Sequence, residues 1–149
     1  MAMVRLLPDF KEFLKLLNAR RVEYLLIGGY AVAYHGYVRA TADIDVWVAV
    51  NPKNADELVG ALKEFGFHVP ELKPEIFLKE NQIIRLGVPP VRIEILTSIS
   101  GVNFAECYAK RVTDTMDGVQ INIISLPHLK LNKSAANRHK DLNDLENLP

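Results

Sequence analysis

Asp43-Ile44-Asp45 carries two carboxylates with one residue between them, and Glu94 stands in a later alternating run, Val91-Arg92-Ile93-Glu94-Ile95. Residues i and i+2 of a strand share a face, which puts the Asp43 and Asp45 Cα atoms about 6.6–7 Å apart with their side chains free to converge. Two negative charges that close repel, and a counterion relieves the cost. Mg²⁺ takes such hard oxygen ligands and shares its shell with water and substrate phosphates; Mn²⁺ is the alternative. In the later run Val91, Ile93 and Ile95 face the core, leaving Arg92 and Glu94 on the other side. If the two strands are neighbours in register, Glu94 joins the aspartates. Three carboxylates can hold the paired metals of a phosphoryl-transfer site. Taken singly, the same residues also suit the solvent side of a strand and an ordinary ion pair of Glu94 with Lys or Arg. Clustered acids suit a metal-dependent nuclease as well.

Gly28-Gly29 is the third element. It follows an apolar strand expected over Glu23–Ile27 and precedes a short helix expected over Tyr30–His35. Glycine lets backbone N–H groups approach a ligand, and a helix start favours phosphate. The pair is neither a Walker A loop nor G-x-G-x-x-G, and alone it marks only a tight turn. Beside the acids it directs the reading toward a triphosphate ligand and away from a nuclease.

These residues need a scaffold, and the periodicities supply one. A first helix is expected from Pro8 to Arg20, with Phe10, Phe13, Leu14 and Leu17 at helical spacing and Pro8 at its first position. The strand bearing the aspartates is expected over Ala42–Val50: Ile44, Val46, Val48 and Val50 alternate on one face, and Asp43, Asp45, Trp47 and Ala49 on the other. A second long helix has Asn51 as N-cap, Pro52 in its first turn and Gly66 past its end. Two hairpins are expected, Gln82–Leu86 with Val91–Leu96, and Val112–Met116 with Val119–Ile124 around Asp117-Gly118. A short helix near Phe104–Lys110 lies between them. From Pro127 the chain is expected to run as a basic helix. The order, α-β-α-β-α, then hairpins, then α, implies a mixed sheet flanked by helices, not a doubly wound parallel sheet.

The run Gly28-Gly29-Tyr30-Ala31-Val32-Ala33-Tyr34-His35-Gly36, followed by Arg39, Thr41 and Asp43-Ile44-Asp45, resembles the small bacterial nucleotidyltransferases of the DNA polymerase β-like superfamily. Pro89-Pro90-Val91-Arg92-Ile93-Glu94-Ile95-Leu96-Thr97-Ser98-Ile99 and Lys140-Asp141-Leu142-Asn143-Asp144-Leu145 fit the same group. The resemblance spans roughly residues 8 to 148. It implies a polymerase β palm-like α/β fold and Mg²⁺-dependent transfer of a nucleoside monophosphate from a nucleoside triphosphate to an acceptor. The acceptor would be a protein, an RNA end or a small molecule. Asp43 and Asp45 would hold the metal that carries the triphosphate; Glu94 would help hold a second metal and activate the acceptor hydroxyl. Some members of the group are toxins of toxin–antitoxin pairs, which implies a cognate partner protein. A catalytically inactive module that keeps the fold to bind nucleotide or a partner is the alternative.

The sequence departs from the superfamily at two places. Gly29 and Tyr30 stand where many members place a triphosphate-binding Ser after the first glycine, and Glu94 stands where Asp is common. Gly28, Gly29 and Tyr30 are therefore the expected nucleotide-binding turn. Arg39, in the loop before the aspartate strand, and Lys133, on the same face of the last helix as Lys130 and Asn137, are the expected phosphate ligands. Arg138 and Lys140 are expected to pair with Asp141, Asp144 and Glu146, and Arg92 to orient Glu94. His35 reads as a cap or packing residue or as a general base, and Trp47 as core or as a base-stacking group.

Length and composition agree with a single domain over residues 1–149: 49% hydrophobic, 24% charged, formal net charge zero. No global field draws the chain to nucleic acid or membrane. The lone Cys107 cannot form an internal disulfide and reads as a small buried residue. The lead-in Met1–Leu7 does not read as a signal peptide, and no apolar run approaches a membrane span, so a cytoplasmic location is expected.

Overall fold

A computed structural model describes residues 4–149; the first three residues of the Met1–Leu7 lead-in lie outside it. Helix α1 (Pro8–Ala19) buries Phe10, Phe13, Leu14 and Leu17, the stripe that its spacing predicts. Strand β1 (Tyr24–Ile27) is buried along its whole length and runs directly into α2 (Gly28–Tyr34). Strand β2 (Asp43–Val48) leads to α3 (Pro52–Phe65), whose Asn51 cap accepts the Asn54 N–H at 2.9 Å and whose end is turned by Gly66. Helix α3 is tied to the sheet by buried Asn54, which accepts from the Glu23 N–H at 2.7 Å and donates to the Ala49 carbonyl at 2.9 Å.

Residues 67–82, between α3 and the first hairpin, form no strand. They carry a short 3-10 turn, Pro74–Phe77, that drives Phe77 fully into the core. Strands β3 (Ile83–Val88) and β4 (Val91–Leu96) form the first hairpin, with strands reaching to either side of Pro89-Pro90. Helix α4 (Phe104–Ala109) precedes the second hairpin, β5 (Val112–Met116) and β6 (Val119–Ile123). The tail is two helices instead of one, α5 (Leu126–Ala136) and α6 (His139–Asn147). Asn137 adopts the left-handed conformation between them, φ 55°, so it caps α5 and does not share a face with Lys133.

The six strands form one mixed sheet in the order β3-β4-β2-β1-β6-β5. Strand β2 pairs antiparallel with β1 and parallel with β4, and β1 pairs parallel with β6. Buried Ile44 and Val46 project to one face; Asp43, Asp45 and Trp47 project to the other. At the far end of that second face Trp47 is core: its ring meets Phe104 of α4 edge-on at 5.1 Å, and its Nε1 donates to the Thr97 carbonyl at 3.3 Å. The acid-bearing end stays open. Among the described residues no helix is long and apolar enough to cross a membrane.

Helix α6 docks by charge. Its inward residues are Asp141 and Asp144, both fully buried, while Leu142 is exposed. The Lys133 ammonium on α5, itself buried, lies 3.2 Å from Asp141 Oδ1 and 3.0 Å from Asp144 Oδ2. Arg39, in the loop before β2, donates from Nε and Nη2 to the two Asp144 oxygens at 2.7 and 2.9 Å. Arg138 donates to Asp141 Oδ2 from Nε at 2.7 Å and from its backbone N–H at 3.1 Å. Burial alone would raise the pKa of both aspartates. The hydrogen bonds from Arg138 and Lys133 to Asp141, and from Arg39 and Lys133 to Asp144, outweigh it, and both are lowered. A depressed carboxylate pKa gives stability that is present above the unfolded value, about 3.9, and drains away as pH falls through the folded one. Removing one partner of a buried pair leaves an uncompensated charge, so Asp144→Ala should destabilise the chain by about 3–5 kcal/mol in urea unfolding at pH 7. The gap between variant and parent should shrink below about pH 4; a gap under about 1 kcal/mol at pH 7 would make the cluster an ordinary surface network.

Candidate active site

The site is set by strand register. The parallel pairing of β2 with β4 places Asp45 beside Glu94 and Asp43 beside Arg92. The antiparallel β3–β4 hairpin places Arg85 beside Glu94 on its other side. The three expected acids therefore do share one face of the sheet, on adjacent strands. Arg92 meets Asp43, not Glu94: Nε and Nη2 donate to Oδ1 and Oδ2 at 3.1 and 2.9 Å. Glu94 is held by Arg85, whose Nε donates to Oε1 at 2.8 Å.

Asp45 differs from its neighbours. Its Oδ1 is buried and accepts no hydrogen bond. Burial first, and then the negative charge of Glu94 beside it, push its carboxyl up to about 7. The Asp45 carboxylate lies against the Gly28–Gly29 turn. Gly28 has φ +65°, and a Cβ there would run into Asp45 Oδ2; a Cβ on Gly29 would run into Thr41 Oγ1. The two glycines are thus required for β2 and its preceding loop to approach the end of β1.

A pocket of about 730 Å³ opens over this face. Gly28, Gly29, Asp43, Asp45 and Glu94 form its floor; Arg39, Lys133, Arg138 and Lys140 line a cationic wall; Asn81, Ser98, Ser100 and Asn132 line a neutral polar one. Its size suits a nucleotide-sized ligand. Two expected phosphate ligands are placed on the cationic wall but already engaged: Arg39 with Asp144, and Lys133 with Asp141 and Asp144. Lys140, expected to be paired, is exposed at the pocket and makes no ion pair among the described residues. Arg138 is paired with Asp141, as expected.

Tyr30 is not at the pocket wall. Successive helical residues turn by about 100°, so with Gly28 and Gly29 lining the pocket, Tyr30 points inward. Its buried ring packs perpendicular to Phe10 at 5.9 Å. His35 bonds the Ile124 carbonyl through Nε2 at 2.7 Å, away from the acids, and burial lowers its pKa. Cys107 is buried, and burial pushes its thiol up to about 11, which suits an inert packing residue. Arg85 and the neutral wall were not foreseen. Counting outward from Pro89-Pro90 pairs Arg85 with Glu94, so the hairpin itself contained that signal.

The donor set fits a hard divalent cation: three carboxylates, one with a buried oxygen that nothing satisfies. As the side chains stand, no three acid, His or Cys groups among the described residues gather closely enough to enclose an ion. Asp43 and Glu94 are instead each drawn to an arginine. Without a cation, Asp45 should weaken the fold as it ionises. The folded chain keeps its proton up to about 7, whereas the unfolded chain releases it near 3.9, so stability falls as pH rises across that window. In chelator, Asp45→Asn should remove that slope and at pH 8 melt a few degrees above the parent. Thermal melts from pH 5 to 8 check this; a variant that melts lower and keeps the slope would remove Asp45 as its source.

Comparison with known proteins agrees with this architecture. A candidate nucleotidyltransferase from Thermotoga maritima superposes with a TM-score of 0.62 at 16% identity, over 92% of this chain and 88% of that one. An antigenic nucleotidyltransferase-like protein from Paracoccidioides brasiliensis gives 0.55 at 15% identity, over 92% of this chain and 72% of that one. At such identities the likeness is one of fold. No curated protein matches the chain in sequence. The profile of one family matches residues 4–148, nearly the whole chain and every residue of the acid face, and the chain belongs to that family, described as nucleotidyltransferase of unknown function (DUF6036).

Proposed function

We propose that the chain transfers a nucleoside monophosphate from a nucleoside triphosphate to an acceptor, with Mg²⁺, or Mn²⁺ in its place, held by Asp43, Asp45 and Glu94. The observation that carries this reading is the unpartnered, buried Asp45 oxygen beside a second acid, on the floor of a pocket with a cationic wall. A buried acid without partners costs stability, and a hard cation provides what it lacks. When bound, such a cation neutralises the acids and lowers the pKa of a nearby hydroxyl.

The chain's own residues supply the rest. Gly28 and Gly29, lacking Cβ atoms, let Asp45 and Thr41 close onto the turn at the pocket floor. Lys140, exposed on α6, reaches toward the phosphates, and Arg138, paired with Asp141 at the start of the helix, stands beside it. Arg39 and Lys133, locked to the α6 aspartates, contribute fixed positive potential along the same wall. In this reading Glu94, next to the edge strand β3, accepts the proton of the acceptor hydroxyl. The neutral wall is left for the base and ribose.

A second reading, a nucleotide-binding module without turnover, draws on the ion pairs that already occupy Asp43, Glu94, Arg39 and Lys133. Incubating the purified chain with each labelled nucleoside triphosphate and a cell extract separates the two. Label fixed to protein, RNA or a small molecule with release of pyrophosphate supports transfer and names the acceptor class. Binding without release supports the module. Calorimetry should show triphosphate binding with Mg²⁺ that is much weaker in chelator and in Asp45→Asn; equal affinity in all three conditions would sink the carboxylate reading. Lys140→Ala should weaken triphosphate binding by roughly three- to tenfold, and monophosphate binding less, as expected for one charge-assisted contact to the phosphate tail. Equal losses for both ligands would place Lys140 away from the tail.

A further inference from the structure

Arg85 and Arg92 have no part in the transfer step outlined above, yet they make the closest polar contacts to the outer acids. Register brings them there: Arg92 stands opposite Asp43 across β2–β4, and Arg85 opposite Glu94 across β3–β4. Each outer acid thereby receives a cation from a neighbouring strand. Asp45, between them, receives none.

Resting on the metal-site reading, we propose that Arg85 and Arg92 are positioning residues that act as built-in counterions: they hold Glu94 and Asp43 in ion pairs, and a divalent cation gains the site only by displacing them. A guanidinium is a planar fork, so it sets the direction of a carboxylate as well as neutralising it. Arg92 uses both Asp43 oxygens, and a cation that binds there must break those bonds. Both pairs are partly solvated, with 57% of the Arg85 side chain and 36% of the Arg92 side chain exposed. Pairs of that kind are weak enough to exchange. The two arginines then part ways. Arg85 lines the pocket, so its release leaves a guanidinium beside the bound ligand as an anion partner. Arg92 does not line it, and its release only removes competition. Cation and triphosphate binding therefore favour one another through Arg85, each ligand taking one member of a broken pair.

The test is Mn²⁺ binding to the full chain, without nucleotide, by calorimetry and by the electron paramagnetic resonance signal of free Mn²⁺. Arg85→Gln and Arg92→Gln should each bind Mn²⁺ roughly three- to tenfold more tightly than the parent, and Arg92→Lys, which keeps charge without the fork, should fall between. In chelator the Gln variants should melt below the parent, and Mn²⁺ should restore more than the difference. Circular dichroism checks folding; if a Gln variant does not fold, the Lys variant carries the comparison. A lower melt with unchanged or weaker Mn²⁺ affinity overturns the proposal, because that is what a merely structural ion pair gives. No Mn²⁺ binding by the parent or by the double Gln variant overturns the metal site and this proposal together. Tighter binding in the variants without any nucleotidyl transfer by the parent supports the proposal while removing the transfer reading.

Discussion

Like charges pressed onto one sheet face are the constraint around which this molecule is arranged. Parallel pairing of β2 with β4 leaves no freedom: once Ile44 and Ile93 are buried on one side, Asp45 and Glu94 must stand abreast on the other. Every neighbouring choice eases that crowding. Asp43 and Glu94 each take a guanidinium, and Asp45 retains its proton further up the pH scale than an ordinary aspartate. The Gly28–Gly29 turn makes room for the Asp45 carboxylate where a side chain would strike it. A structure that tolerates such an arrangement gives up stability at the place where chemistry is wanted.

The second charge assembly solves a different problem. Helix α6 brings Lys140 to the pocket, but its fully buried residues are the carboxylates of Asp141 and Asp144, with Leu148 just past its end as the apolar anchor. Lys133 and Arg39 hold those carboxylates from α5 and from the loop before β2. The same loop holds Thr41 against Gly29. One ion cluster thus sets the α6 position, the loop preceding the acids and the potential along the pocket wall, which links packing directly to ligand recognition.

Much of this was readable from residue order, and the parts that were not share a cause. Alternation at Ile44, Val46 and Val48 identified β2 and the face of Asp43 and Asp45, because apolar burial leaves a period-two mark. Asn51, Pro52 and Gly66 bounded α3 for equally local reasons. What failed depends on contacts between distant segments. Lys133 reads as a phosphate ligand until Asp141 and Asp144 are seen to be buried around its ammonium. Arg92 was assigned to Glu94 because both lie on β4; its partner comes from the strand alongside. Tyr30 follows the glycines in sequence, but one further step of helical rotation carries it into the core against Phe10.

The cluster of buried Lys133, Asp141 and Asp144 with half-buried Arg39 also bears on how such a chain can drift over generations. Lose any one member and the others become liabilities, so single replacements are punished while a coordinated exchange of the whole set for apolar residues could be silent for folding. Its members are therefore expected to be inherited as a block: ancestral lineages should keep all four together or have replaced them together, with few surviving intermediates. Arg39 and Lys133 would then travel with α6 even in descendants whose pocket had been turned to another ligand.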